Sequence, residues 1–211
     1  MTLGLPQLCL IRHGETAWSL SGQHTGKTDL ALSDHGITMA RTLQAYLAST
    51  SFALVLTSPL LRARETCDLA GLGAQAQIAA DLSEWDYGDY EGRTSAEISV
   101  ERPGWSVCRD GCPGGETPTQ VSERADRLIA GVRAVEGTIA LFSHGQFGAV
   151  LAARWIGLDI AEAVHFTLAP ASVSILGPKP GHPHLPAICQ WNAGPSAAHR
   201  QSANTSRHVQ S

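Results

Sequence analysis

The sequence has little that would assign it to nucleic acid, to a membrane or to an exported protein. Charged residues are only 16% of the 211 residues and the formal net charge is −4, so no overall positive field attracts nucleic acid or anionic lipid. No apolar run is long enough to cross a bilayer. The N-terminal residues, MTLGLPQLCLIR, lack a basic segment followed by a long apolar stretch, so we expect no signal peptide.

Cysteines are few and irregularly spaced. There are five, an odd number, and Cys108 and Cys112 are too far apart for a C-x-x-C motif. This pattern favours free thiols in a reducing compartment, so we expect a cytoplasmic protein. A redox pair between Cys108 and Cys112 is the alternative.

Apolar residues, by contrast, make up 43% of the chain, which is typical of a globular domain with a well-filled core. We expect one domain over residues 1–194. Residues 195–211 are small, polar and poor in apolar side chains, which predicts a disordered tail.

Short apolar segments alternate with helical patterns along the chain. Buried strands are predicted at residues 8–11, 52–57 and 138–142, and edge strands at residues 172–176 and 187–191. This alternation predicts an α/β fold of three layers, α/β/α, with a mainly parallel central sheet.

Helix starts are marked by capping residues. Ser33 is a predicted N-cap, Ser58-Pro59 is a predicted N-cap with proline in the first helical position, and Thr117 to Gln120 form a predicted capping box. The helix after Thr117 has a clear apolar face.

The segment from residue 81 to residue 115 is rich in glycine and proline, yet it holds four of the chain's aromatic residues: Trp85, Tyr87, Tyr90 and Trp105. Clustered aromatic residues argue against disorder, and a long irregular segment in a compact domain is usually functional. Trp85 is a candidate wall of a substrate pocket.

Polar residues follow the three buried strands, at Arg12-His13, at Ser58 to Arg62 and at Ser143-His144. The carboxyl ends of parallel strands meet at one edge of a sheet, where sites form in α/β folds. Two arginines and two histidines there would make a cationic cup for a phosphate dianion, because arginine offers a planar fork of donors. Helices beginning near Ser58 and Ser143 would add backbone N–H groups, and a histidine can attack phosphorus.

These residues lie in an ordered set of motifs. The motifs are LIRHGET (10–16), TSPLLRA (57–63), LSE (82–84), YG (87–88), EG (91–92), GGET (114–117) and SHG (143–145). In this order, over about residues 7–177, the sequence resembles the histidine phosphatase superfamily, which includes the cofactor-dependent phosphoglycerate mutases. The resemblance implies a phosphoglycerate mutase-like fold.

The resemblance also implies catalytic roles. His13 is implied as the nucleophile that becomes phosphorylated, and Arg12, Arg62 and His144 as the phosphate clamp. Glu84 is implied as the acid that protonates the leaving oxygen and later as the base that activates water. Three acidic neighbours of Glu84 remain open as alternative acids: Asp86, Asp89 and Glu91.

Substrate-binding positions follow from the same resemblance. Ser19, Thr25 and Gly26 resemble the substrate loop of the mutases, and Tyr87 resembles a substrate-facing tyrosine. Glu15 and Glu116 are expected to make local hydrogen bonds rather than to catalyse.

A closer resemblance, carried by residues 18–30, 58–69, 84–92 and 109–112, is to the sedoheptulose-1,7-bisphosphatase subgroup. It implies a phosphatase of small phosphorylated sugars or polyols. We expect a small-molecule phosphate ester as partner, neither nucleic acid nor membrane, and no cofactor; the sequence leaves a homo-oligomer open. His182 and His184 are metal-ligand residue types, but no further ligands lie nearby in sequence, so we expect no metal site.

Three alternatives remain open. One is mutase-type phosphoryl transfer, although the compact chain after Gly92 offers little material for the lid that a mutase needs to keep water out. The second is a bisphosphatase acting on sedoheptulose 1,7-bisphosphate. The third is a non-enzymatic module that binds phosphoproteins, against which the intact set of catalytic residue types argues.

Overall fold

The computed structural model describes residues 4–194, and the tail predicted for residues 195–211 lies outside that range. The strands are β1 (Gln7–Arg12), β2 (Leu54–Thr57), β3 (Ala76–Ile78), β4 (Thr138–Ser143), β5 (Val173–Lys179) and β6 (His182–Ala193). The helices are α1 (Ala17–Ser21), α2 (Asp34–Leu47), α3 (Leu61–Leu69), α4 (Ser95–Glu101), α5 (Val107–Asp110), α6 (Pro118–Val132) and α7 (Gly145–Trp155).

The six strands form one sheet in the order β3-β2-β4-β1-β5-β6. The first four strands are parallel: β1 pairs with β4, and β2 pairs with both β3 and β4. β5 is antiparallel to β1, and β6 is antiparallel to β5. This mostly parallel sheet confirms the predicted α/β class. The prediction that residues 172–176 form an edge strand is wrong, because the longer β6 pairs along the outer side of β5.

Side chains of the central strand β1 divide the core into two layers. Leu8 and Leu10 point to one face of the sheet, where they join the buried residues of α6 and α7. Cys9 and Ile11 point to the other face and join buried residues of α2 and α3. Successive side chains of a strand alternate between its faces, so a strand that is apolar throughout needs cover on both sides. The predicted three layers are therefore present.

Two of the three predicted helix starts are confirmed. The Ser33 side chain accepts a hydrogen bond from the Gly36 amide, and Thr117 and Gln120 form a capping box at the start of α6. The prediction for Ser58 is wrong: α3 begins at Leu61, with Leu60 at the N-cap position and no side-chain cap. The Ser58 hydroxyl has a partner in the interior instead, which is described below.

The segment from residue 81 to residue 115 is not a continuous loop. It contains α4, α5 and two single turns of 3-10 helix, at Ala80–Leu82 and Gly88–Tyr90. Trp85, Tyr87 and Tyr90 are buried, so the aromatic side chains anchor this segment to the rest of the domain.

All five cysteines are free thiols, so no disulfide joins Cys108 and Cys112 in this structure. His182 and His184 lie at the start of β6, where both are exposed. Within residues 4–194, no helix combines the length and apolar character needed to cross a membrane.

Candidate active site

The carboxyl ends of β1, β2 and β4 meet at one edge of the sheet. Arg12 is the register partner of Ser143, and Thr57 is the partner of Phe142. The chain continues the pairing just past the strands, because the His13 amide donates to the Ser143 carbonyl at 2.9 Å. The predicted convergence of polar residues at this edge therefore follows from the strand register.

His13 is almost fully buried and its ring has a fixed orientation. Nδ1 lies 2.6 Å from the carbonyl oxygen of Gly14. Because a carbonyl only accepts, Nδ1 carries the proton and Nε2 keeps its lone pair. Burial lowers the pKa of His13 well below its usual value, and the charges of Arg12 and Arg62 lower it further, so the imidazole is neutral at neutral pH.

His144 stands beside His13, with the ring centroids 5.2 Å apart. Its Nε2 lies 2.7 Å from Ser58 Oγ, which also accepts a hydrogen bond from the Leu60 amide at 3.3 Å. Burial lowers the pKa of His144 well below its usual value, and the nearby positive charge of Arg62 lowers it further. His144 is also the N-cap residue of α7, so it joins the strand end to the helix N-terminus.

Two arginines bring positive charge to the cup. Arg62 is fully buried: Nη1 donates to the carbonyl of Thr28, and Nη2 donates to the carbonyls of Thr25 and Gly26 at 3.0 Å. Arg12 donates through Nη1 to the carbonyl of Leu168. Burial lowers the pKa of both guanidinium groups and the nearby Glu84 carboxylate raises it, yet arginine stays charged at any physiological pH.

Three buried nitrogen atoms of the cup lack a hydrogen-bond partner among the described residues: Arg12 Nε, Arg62 Nε and His144 Nδ1. Buried polar atoms without partners are rare in folded proteins, because each costs about 1–3 kcal/mol. Arg12 ends β1, Arg62 lies in the first turn of α3 and His144 caps α7, and of the three only Arg12 lines the same cavity as His13. The arrangement can bind an oxyanion.

Glu84 lies at the N-terminus of α7. Oε1 accepts from the amides of Trp85 and Phe147 at 2.9 and 2.7 Å, and Oε2 accepts from the amide of Gln146 at 3.0 Å. Of the acidic residues in the described chain, Glu84 alone lines the same cavity as His13. Asp86 pairs instead with Lys27 at 2.6 Å, and Glu91 accepts from the amides of Gly26 and Thr28.

A buried arginine that the sequence reasoning missed holds the Glu84 segment in place. Arg124, on α6, donates to the carbonyls of Asp81 and Ser83 at 2.9 and 2.6 Å. Its guanidinium group also makes a bidentate ion pair with Glu116, at 3.0 and 2.8 Å. Glu116 in turn accepts from the Asp86 amide at 2.9 Å, so the pair, called the Arg124–Glu116 brace below, ties both sides of Glu84 to α6.

The cup opens into a cavity of about 360 Å³, within the range of small-molecule sites. Of the predicted substrate-binding residues, three line it: Ser19, Thr25 and Tyr87. The Ser19 hydroxyl already serves the capping box of α1, where it accepts from the amide of Thr16 and donates to its carbonyl. Burial raises the pKa of Tyr87 well above its usual value, so its hydroxyl is a neutral group at the cavity wall.

Gly26 and Trp85 do not line this cavity. A Cβ atom at Gly26 would lie 2.5 Å from the carbonyl oxygen of Trp85, so glycine is required there for close packing. Trp85 is fully buried, and its Nε1 donates to the Glu116 carbonyl at 3.0 Å. Its expected role as a pocket wall is therefore corrected to that of a core residue, because its large ring is covered by the layer that contains α6 and α7.

His24 and Gln146 also line the cavity and were not singled out from the sequence. The His24 ring stacks on Tyr87 with centroids 4.5 Å apart. For Arg124 a signal did exist, since it follows Val121 by three residues and precedes Leu128 by four, on the apolar face of α6. A charged residue on a buried helix face needs a partner, and Glu116 is that partner.

Comparisons with known proteins agree with this geometry. The family model of the histidine phosphatase superfamily (branch 1) matches residues 8–190. An acid phosphatase of Mycobacterium tuberculosis is 41% identical over 175 residues, which cover 81% of this chain and 86% of that protein. A sedoheptulose 1,7-bisphosphatase of Saccharomyces cerevisiae is 37% identical over 190 residues, which cover 74% of this chain and 70% of that protein.

Among solved structures, the product of an open reading frame of Mycobacterium tuberculosis superposes with a TM-score of 0.81 at 37% sequence identity. The superposition covers 89% of this chain and 99% of that one. The sheet and its helices thus form a fold that this chain shares with that protein over nearly its whole described length.

Proposed function

The chain belongs to the histidine phosphatase superfamily and is a hydrolase of phosphate monoesters, and from this premise we propose that it acts on small phosphorylated sugars or polyols through phosphorylated His13. The sedoheptulose bisphosphatase among its relatives acts on a phosphorylated sugar, which favours this substrate class. The small phosphate ester is accordingly the proposed partner, and the cytoplasm is the proposed location.

One observation carries the proposal. Within residues 4–194, Arg12 Nε, Arg62 Nε and His144 Nδ1 are buried without hydrogen-bond partners, and the Nδ1–H of His13 is bound to a carbonyl. Donors arranged before the substrate arrives stabilise charge in a transition state without reorganisation. The three equatorial oxygens of a transferring phosphoryl group carry such charge.

The proposed reaction has two steps. In the first, the Nε2 lone pair of His13 forms a bond to phosphorus as the P–O bond of the ester breaks, and Glu84 gives its proton to the departing alkoxide. In the second, Glu84 takes a proton from a water molecule, whose oxygen bonds to phosphorus as the P–N bond breaks. Inorganic phosphate leaves, and His13 and Glu84 return to their starting states.

The decisive experiment replaces His13 with alanine. We expect His13→Ala to lower kcat on p-nitrophenyl phosphate by about 10⁴-fold or more, because no second nucleophile takes the phosphoryl group. Wild-type enzyme mixed briefly with substrate and quenched in alkali should carry acid-labile phosphate on His13, as read by mass spectrometry.

The matched control is His35→Ala, because His35 is exposed on α2 and lies away from the cavity. Its kcat should equal that of the wild type. Substantial turnover by His13→Ala, or label on another residue, would overturn the phosphohistidine mechanism.

A further inference from the structure

The cavity is charged at its base and uncharged at its mouth. Within the described chain, Arg12 is the only lysine or arginine that lines it and Glu84 is its only carboxylate, and both belong to the cup. The remaining wall, called the mouth below, carries amides, hydroxyls, a thiol, an imidazole and apolar side chains.

The titratable groups of the mouth are neutral near pH 7. Burial lowers the pKa of His24, whose ring stacks on Tyr87 and whose Nε2 lies 3.2 Å from Ser95 Oγ. Burial raises the pKa of Cys108 to about 11, and its Sγ accepts a hydrogen bond from the Gln146 side chain at 3.0 Å. Neither group offers a formal charge to a ligand.

The opposite side of the mouth is apolar. Val107 and Leu168 are mostly buried, Phe166 packs edge-on against Trp191, and Val164 is 56% exposed on the short 3-10 helix Ile160–His165 that follows α7. An exposed valine at the rim of a cavity presents a ligand with an apolar surface and no counter-charge.

Three cations on the neighbouring segments pair with carboxylates, whereas the exposed Arg102 donates to the Tyr90 hydroxyl at 3.3 Å and does not line the cavity. Lys27 pairs with Asp86 at 2.6 Å, and Arg109 pairs with Asp110 at 2.8 Å. Arg93 pairs with Glu101 at 2.7 Å. A second anionic group on a substrate would have to compete with these carboxylates for a cation.

We propose that the site selects monophosphate esters of uncharged alcohols and discriminates against substrates that carry a second phosphate or a carboxylate on the leaving group. Such a group would leave water at the mouth without gaining an opposite charge, which is unfavourable. Uncharged hydroxyl and C–H surfaces, by contrast, match the polar and apolar sides of the mouth. This inference rests on the proposed function and narrows its substrate class to exclude bisphosphates and phosphorylated sugar acids, so this chain would differ in substrate from the sedoheptulose 1,7-bisphosphatase among its relatives.

Two substrate pairs test the discrimination. The pairs are fructose 6-phosphate with fructose 1,6-bisphosphate, and glycerol 2-phosphate with 2-phosphoglycerate. We expect kcat/KM to be about tenfold or more higher for the first member of each pair, as for a charge that is desolvated without a partner. Equal or higher kcat/KM for the second members would overturn the inference.

A charge placed at the mouth provides the sharper test. Val164→Lys should raise the ratio of kcat/KM for fructose 1,6-bisphosphate to kcat/KM for fructose 6-phosphate by about fivefold, because a lysine supplies the missing partner. Val100→Lys is the matched control, since Val100 is 83% exposed on α4 and does not line the cavity. An unchanged ratio in Val164→Lys, or an equal rise in Val100→Lys, would count against the inference.

Binding separates this inference from the proposed function. Calorimetric titration of the His13→Ala variant with the same pairs reports the discrimination without any turnover. Failure of the wild type to release phosphate from every ester would overturn the proposed function alone. The inference would still be supported if the first member of each pair bound more tightly than the second. It would be overturned if the first member bound equally or more weakly.

Discussion

Glu84 accepts hydrogen bonds from three backbone amides, those of Trp85, Gln146 and Phe147. These bonds fix the carboxyl group beside the cavity that His13 lines. A proton on Glu84 must occupy a lone pair that the amides do not use, and Glu84 is among the residues that line the cavity. A residue in this position suits the proposed acid of the first step.

Replacing Glu84 with glutamine tests this role. Glu84→Gln should lower kcat/KM by about 10²–10³-fold on glycerol 2-phosphate, whose alkoxide is a poor leaving group, as expected for loss of a general acid. The loss should be less than about tenfold on p-nitrophenyl phosphate, whose leaving group departs without a proton. The measurement is kcat/KM for both esters over a range of pH.

Asp86→Asn is the matched control, because Asp86 lies two residues away and pairs with Lys27 outside the cavity. Asp86→Asn should change kcat/KM only slightly, and by the same factor for both esters. Equal losses on the two esters in Glu84→Gln would exclude Glu84 as the acid.

Helix α6 contributes to the site without lining the cavity. Its Arg124 holds the carbonyls of Asp81 and Ser83 and pairs with Glu116, and its guanidinium carbon lies 4.4 Å from the ring centroid of Phe147. The Arg124–Glu116 brace therefore connects α6 with the segment that carries Glu84 and with the start of α7. Arg124 is a positioning residue for Glu84.

Removing the brace should lower the stability of the protein and, in the molecules that remain folded, should displace the Glu84 carboxyl group. Arg124→Met should lower the free energy of unfolding by about 2–4 kcal/mol, because it removes the cationic partner of the Glu116 carboxylate and the donor to two carbonyls. Among the molecules that remain folded, kcat should fall more on glycerol 2-phosphate than on p-nitrophenyl phosphate, with KM little changed. Thermal unfolding and the two kcat values are measured on the same preparations.

The chain offers a close control in Arg154, which makes a bidentate pair with Asp126 at 3.0 and 2.9 Å and joins the same two helices away from Glu84. Arg154→Met should lower stability modestly and leave the ratio of the two kcat values unchanged. If Arg124→Met also left that ratio unchanged, the brace would have only a structural role.

At the scale of the whole molecule, folding buries two histidines, His13 and His144, in their neutral form. Burial lowers the pKa values of His13 and His144 well below the usual 6.5, and the charges of the two arginines add to this effect. In the unfolded chain both histidines regain ordinary pKa values. Below pH 6.5 the unfolded state therefore binds protons that the folded state does not, and stability falls as the pH falls.

The free energy of unfolding should consequently decrease by up to about 1.4 kcal/mol per pH unit for each of these histidines as the pH is lowered from 6.5. Above about pH 7.5 these two histidines should no longer make the free energy of unfolding depend on pH. Urea unfolding between pH 5 and 8 in buffers free of phosphate measures this dependence.

His13→Asn removes one titrating group, so the slope of stability against pH should be shallower than in the wild type, whereas His35→Asn on the surface should leave it unchanged. Stability that increased towards pH 5.5, or a slope that His13→Asn left unaltered, would contradict neutral burial of His13.

The sequence by itself determined β1, β2 and β4 and the polar residues that follow them, whereas the short β3 was not predicted. Short apolar runs need cover on both faces, and a polar residue directly after such a run must lie at the strand end. These relations act between neighbours in the chain, so Arg12, His13 and His144 could be placed at one edge from the sequence pattern alone. Ser33 and Thr117 could be recognised as caps for the same reason.

Only the tertiary structure decided what depends on residues far apart in the chain. Ser58 contacts His144 across 86 residues instead of capping α3, and Arg124 reaches Ser83 across 41 residues. Whether Trp85 lines a pocket or fills the core depends on which surface the folded segment turns towards α6, and local pattern carries no information about that. The same holds for the uncharged mouth, because its residues come from five separate parts of the chain and acquire a common environment only when the sheet has formed.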